Sequence, residues 1–149
     1  MNPFRSLYDY EGFIYSLSRQ FPRLARSTLT LIRRGKYRGE VMGELLFLAG
    51  IRLTVYEYLT WEHEAVVIEG YSYEVWNGSE KVYWYDSQPH PNDPTLASTH
   101  PHHKHVPPDI KHHRIPAPEL SFTRPNLSFL IEEIERELLT GHAGAVGQP

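Results

Sequence analysis

The chain has 149 residues, a mass of 17.3 kDa, 40% hydrophobic residues and no cysteine; this suits one domain with one core and excludes a disulfide framework, cysteine-ligated zinc, an iron–sulfur cluster and a thiol nucleophile. Net charge is −3, but residues 12–39 hold no Asp or Glu and seven basic side chains, Arg19, Arg23, Arg26, Arg33, Arg34, Lys36 and Arg38, so one part of the molecule can present a positive field while the rest stays acidic. No apolar run approaches the ~20 residues of a membrane span, and the opening MNPFRSLYDYEG has neither an apolar h-region nor a cleavage signal, so a soluble cytoplasmic protein with no membrane partner is expected.

Residues 8–20 place Tyr10, Phe13, Ile14 and Leu17 on one helical face, bounded by Pro22. Strand signals follow. Residues 27–33 alternate with Leu29 and Leu31 on one side, and Gly35 and Gly39 mark a turn. The cluster Arg33-Arg34-x-Lys36-x-Arg38 around that turn predicts an exposed basic hairpin suited to phosphate contact. Residues 40–48 end at Ala49-Gly50, and residues 51–59 alternate with Ile51, Leu53 and Val55 inward and Arg52, Thr54 and Tyr56 outward. Glu57 falls in the inward phase, which marks either a buried carboxylate or a phase break near a strand end. Residues 65–76 close at Asn77-Gly78, a hairpin signal, and residues 81–86 return. Turns this short allow only antiparallel neighbours. Tyr56, Tyr58, Tyr71, Tyr73, Tyr83, Trp84 and Tyr85 make the sheet aromatic, through cross-strand packing or as a surface on which bases stack.

Nine of the twelve prolines lie between Asp86 and Pro125, and seven of the nine histidines between His90 and His113. Proline at this density excludes regular helix and central strand, so a long loop with at most one short strand is expected, and such loops tend to carry function. Residues 126–139 then form the clearest helix, with Leu127, Leu130, Ile131, Ile134 and Leu138 in one stripe, Asn126 as cap and Glu132 set to pair with Arg136. Residues 141–149 read as a disordered tail beyond a single domain of residues 1–140. The fold expected is α+β: an antiparallel meander of five or six strands, N- and C-terminal helices on one face, and a long Pro/His-rich loop at one edge.

Within that loop the block His100-Pro101-His102-His103-Lys104-His105 sets four histidines in six residues. If the block is extended, His100, His102 and Lys104 share one face and His103 and His105 the other. Metal-free RNA cleavage needs a base for the 2′-OH, an acid for the departing 5′-oxygen and a cation for the phosphoryl charge. Two histidines and a lysine supply all three near neutral pH. The expected catalytic set is His102 with His103 or His105 as base and acid, Lys104 as the stabilising cation, Asp86 orienting an imidazole, and His90 nearby. Arg33, Arg34, Lys36, Arg38 and Lys111 are the expected RNA contacts. This reading calls for no cofactor and no metal. A metal-dependent nuclease with the same histidines as ligands, assisted by Asp86, Asp93 or Asp109, and a non-catalytic binding module remain the alternatives.

The strand-end Tyr85-Asp86, the downstream Pro89-His90 and the block Pro101-His102-His103-Lys104-His105-Val106, followed by the apolar spacing from Leu127 to Ile134, resemble the TumE-like toxins of bacterial and archaeal toxin–antitoxin modules. The similarity spans roughly residues 25–138. The chain departs from the family pattern in having Ser87 in place of an asparagine, a single His90 before Pro91, and extra histidines at 100, 112 and 113. The resemblance implies a small toxin neutralised by a cognate antitoxin, a DNA-binding helix-turn-helix protein. RNA cleavage is inferred from the residues, and a homo-oligomer is compatible with it.

Overall fold

The structure, a computed structural model, describes residues 2–139, so the tail expected to be disordered lies outside the described residues. A 3-10 turn at Pro3–Arg5 leads into α1 (Leu7–Tyr15) and α2 (Leu17–Gln20). Ser6 caps α1 by accepting a hydrogen bond from the Asp9 amide. The strands are β1 (Leu24–Ser27), β2 (Thr30–Arg33), β3 (Arg38–Phe47), β4 (Ile51–Thr60), β5 (Val67–Asn77), β6 (Glu80–Asp86), β7 (His103–His105) and β8 (Arg114–Pro116), with α3 (Leu127–Ile134) closing the domain. All pairings are antiparallel in the order β1-β3-β4-β5-β6-β7-β8, with β2 also on β3. The α+β class and the one-sided helices are as expected.

The strand count is eight rather than five or six, for two local reasons. The first edge strand breaks at Thr28-Leu29, so β1 and β2 lie end to end along β3. Gly43 opposite the break has φ +136°, and a Cβ there would sit 2.6 Å from the Thr28 carbonyl oxygen. The Pro/His loop also contributes two short strands instead of one. Each is only three residues long, which fits between prolines, and β8 at the sheet edge tolerates Pro116.

The hydrophobic period places the core. Ile51, Leu53, Val55 and Leu59 of β4 point inward, with Val41 and Leu45 of β3, Tyr73 and Val75 of β5, and Tyr83 and Tyr85 of β6. Tyr10, Ile14 and Leu17 from the N-terminal helices and Leu127, Leu130, Ile131 and Ile134 from α3 cover this face, each worth about 1.5–3 kcal/mol on full burial. Asn126 does not cap α3 through its side chain. Its amide accepts from the Ser121 amide (2.9 Å) and donates to the Tyr73 hydroxyl (3.1 Å). Beyond Ile134 the helix widens into a π turn over Glu135–Leu139, and Arg136 pairs with Glu137 instead of Glu132.

Glu57 keeps the inward phase and is fully buried. The hydroxyls of Tyr10 and Tyr73 each donate to it at 2.5 Å. Burial pushes its carboxyl pKa up, and these two hydrogen bonds oppose the shift without cancelling it. Folding therefore favours the protonated carboxyl. That stability is fully present below the unfolded value of about 4.3 and is lost as pH rises through the folded one. Glu57→Gln, which cannot ionise, is expected to lose less stability than the parent between about pH 5 and about pH 8, read as the difference in urea unfolding free energy at the two pH values.

Candidate active site

The short strand β7 brings the histidine block onto the sheet. His103 lies opposite Asp86, Lys104 opposite Tyr85 and His105 opposite Trp84, while β8 sets Arg114 opposite His105. The pleat then sends neighbours to opposite faces. Tyr85 faces the helices, so Lys104 does too, and its ammonium pairs with Glu133 of α3 at 3.0 Å. Glu133 also accepts from the Tyr85 hydroxyl at 2.8 and 2.9 Å. His102 shares that side, with Nδ1 2.6 Å from the Tyr71 hydroxyl and its ring against Phe122. Burial, then the nearby His103, lowers the His102 pKa.

His103 and His105 occupy the other face, opposite the one that α1, α2 and α3 cover, together with Asp86. His103 Nε2 lies 3.0 Å from one Asp86 oxygen, His105 Nε2 lies 3.3 Å from the other, and the two Nε2 atoms are 3.2 Å apart. Both rings are almost wholly buried, at 1% and 4% exposure, while the Asp86 side chain keeps 21%. Each Nδ1 meets a backbone carbonyl: Pro101 at 3.0 Å for His103 and Ile110 at 2.8 Å for His105. A carbonyl only accepts, so both Nδ1 atoms carry the proton. Two neutral rings would then aim two lone pairs at each other and at a carboxylate. Only a cation among these three groups relieves that repulsion.

The surroundings fix the group. The Trp84 indole donates to Asp86 at 3.0 Å, as does the Gln88 amide, and His105 stacks on Trp84 with ring centroids 3.8 Å apart. Burial acts to raise the Asp86 carboxyl, but the hydrogen bonds from His103, His105, Trp84 and Gln88 outweigh it and hold it well below the usual carboxylate range. For His103, burial lowers the pKa, but Asp86 and the Pro101 carbonyl prevail and raise it. His90 packs edge-on against His103, centroids 4.9 Å apart, and desolvation together with the charge of Arg114 lowers its pKa. The Arg114 Nε is buried and has no hydrogen-bond partner among the described residues. The 3-10 turn Pro94–Thr99 packs on β8 and carries the buried Leu96.

The structure thus gathers Asp86, His90, His103 and His105, and sets His102 and Lys104 on the opposite face. Arg114 went unremarked in the sequence. Its place on the face of His105 comes from the β7–β8 register, which no local pattern in the sequence signals. Three further histidines lie in the loop. His100 is exposed, while His112 contacts Asp109 (3.2 Å) and His113 the Pro107 carbonyl (3.1 Å).

The basic hairpin forms between β2 and β3, four strand spacings from β7, or about 19 Å at ~4.8 Å each. Arg33 pairs with Glu11 and Arg34 with Glu40, while Lys36 and Arg38 are exposed, as is Lys111 in the β7–β8 loop. Arg34, Arg38, Glu40, Tyr56 and Tyr58 line a 210 Å³ pocket, and both tyrosines share the face of Asp86.

A family model described as Toxin TumE matches residues 14–138. No curated protein and no solved structure matches the chain. No helix among the described residues is long and apolar enough to cross a membrane.

The placement of Lys104 generates a direct test. Glu133→Gln strands a half-buried ammonium and is expected to cost about 1–3 kcal/mol. In a double-mutant cycle with Lys104→Met the two positions should couple by about 0.5–3 kcal/mol, measured by urea unfolding; a lysine on the histidine face would show no coupling to Glu133.

Proposed function

The chain belongs to the TumE toxin family, and from that premise we propose that it arrests growth by cleaving RNA at the open-face cluster of Asp86, His90, His103, His105 and Arg114. Membership in a toxin family implies an antitoxin partner, and a DNA-binding helix-turn-helix regulator is the proposed kind. One observation supports the reading most: a guanidinium nitrogen, buried and without a partner among the described residues, stands beside imidazoles whose environments push them in opposite directions.

The chemistry follows from the groups present. His90, the imidazole nearest solvent in the cluster, takes the proton of a 2′-OH as that oxygen attacks phosphorus. Arg114 holds the phosphoryl oxygens and offsets their growing charge. The P–O5′ bond breaks, and the departing oxygen receives the proton held at the Asp86–His103–His105 triad, so proton loss and gain balance. His105 and Asp86 position His103 in this scheme. Lys104 steadies the sheet from behind through Glu133. The open face also carries Tyr56, Tyr58, Arg34 and Arg38 at the end of the sheet nearest Asp86, a path along which unpaired RNA can lie.

Purified protein incubated with RNA should yield fragments ending in 2′,3′-cyclic phosphate and 5′-hydroxyl. His90→Gln should slow cleavage by about 10²–10⁴-fold and Arg114→Gln by about 10²–10³-fold, with growth arrest lost in parallel. Lys104→Met should retain cleavage once its lower stability is allowed for. Folded His90 and Arg114 variants that cut RNA and arrest growth like the parent would defeat the proposal.

A further inference from the structure

We infer that Asp86, His103 and His105 form a binding site for a divalent ion of the zinc class, with three protein ligands and an open fourth position. The distances carry the argument. Ligands at ~2.0–2.1 Å around a tetrahedral ion stand about 3.3 Å apart. The Nε2···Nε2 separation is 3.2 Å, and each Nε2 faces its own Asp86 oxygen, at 3.0 Å for His103 and 3.3 Å for His105. One donor atom from each residue lies within 4.8 Å of the others.

The supporting atoms fit the same chemistry. A metal-binding imidazole needs its second nitrogen protonated and held, and both Nδ1 atoms donate to carbonyls, of Pro101 and Ile110. A ligating carboxylate needs its own hydrogen bonds, and Trp84 and Gln88 supply them. Both imidazoles are sealed from water while Asp86 retains an edge to solvent, and His90 packs edge-on against His103 beside the group. Two nitrogens and one oxygen of borderline softness suit zinc better than calcium or magnesium, which take oxygen ligands. Three ligands and a vacant vertex is the arrangement in which zinc polarises a phosphoryl oxygen or a water, whereas a structural site would be closed by a fourth residue.

The inference rests on the proposed cleavage site and changes its acid: with the ion bound, both Nε2 atoms would face it and the triad would hold no proton, so a water in the open position would protonate the departing oxygen. Its readout is metal content, so the two stand or fall separately. Full-length protein stripped with chelator and dialysed against Zn²⁺ should retain one ion per chain. Loading with Co²⁺ in its place should give the visible absorption of a tetrahedral ion. Asp86→Asn and His103→Gln should weaken zinc binding by about 100-fold or more, while a His112→Gln/His113→Gln double variant should bind like the parent. If the triad variants fail to fold, X-ray absorption of the zinc-loaded parent decides, with two imidazole nitrogens and oxygen expected in the remaining shell. Absence of stoichiometric zinc, retention of zinc by folded triad variants, or a shell with more than two imidazoles or with none would overturn the inference. A chain that binds zinc here yet leaves RNA intact defeats the cleavage reading alone; one that cleaves RNA in chelator and takes no zinc defeats this inference alone.

Discussion

Two imidazole nitrogens facing each other across 3.2 Å, with a carboxylate against both, cannot persist without positive charge among them. Much of the second half of the chain serves that arrangement. Pairing of β6 with β7 brings Asp86 opposite His103, and pairing of β7 with β8 brings in the loop whose Ile110 carbonyl fixes the His105 ring. The prolines that forbid longer strands here also free carbonyls, such as that of Pro101, to accept from a side chain instead of a neighbouring strand.

The sheet divides labour between its faces. The inner face holds the apolar core and two buried carboxylates, Glu57 and Glu133, each satisfied by tyrosine hydroxyls, with Lys104 added at Glu133. These polar contacts tie the N-terminal helices and α3 to particular strands and so fix where the helices sit. Both helical layers lie on this one side, and the other face carries the Asp86 cluster, whose imidazoles are buried while Asp86 keeps an edge to solvent. There Arg52 and Lys81 sit over Trp76 and Lys81 over Trp84, and the His105 ring stacks on Trp84.

Local periodicity made much of this legible in the amino-acid order. The alternation of residues 51–59 and the stripe from Leu127 to Leu138 predicted which side chains meet the core, and the alternation of the histidine block predicted that His102 and Lys104 part from His103 and His105. What alternation does not contain is which row meets Asp86. That depends on register across β6 and β7, which lie either side of a proline-rich loop, and on the choice of Trp84 and Asp86 as the outward pair. Arg114 joins the site for the same non-local reason. The two-piece edge strand was hidden because it depends on the close approach of Thr28 to Gly43 on β3 and not on propensity.

The account's central claim concerns where the protons sit on two rings, and long-range ¹⁵N–¹H correlation spectra of the full-length chain observe this directly. His103 and His105 should both show a protonated Nδ1, with no ring present as the neutral Nε2–H form, and with Nε2 bearing either a second proton or a metal ion on at least one ring. A neutral Nε2–H tautomer on both rings would mean that neither Nδ1 donates to its carbonyl and that no cation is required between them, and the account would be contradicted.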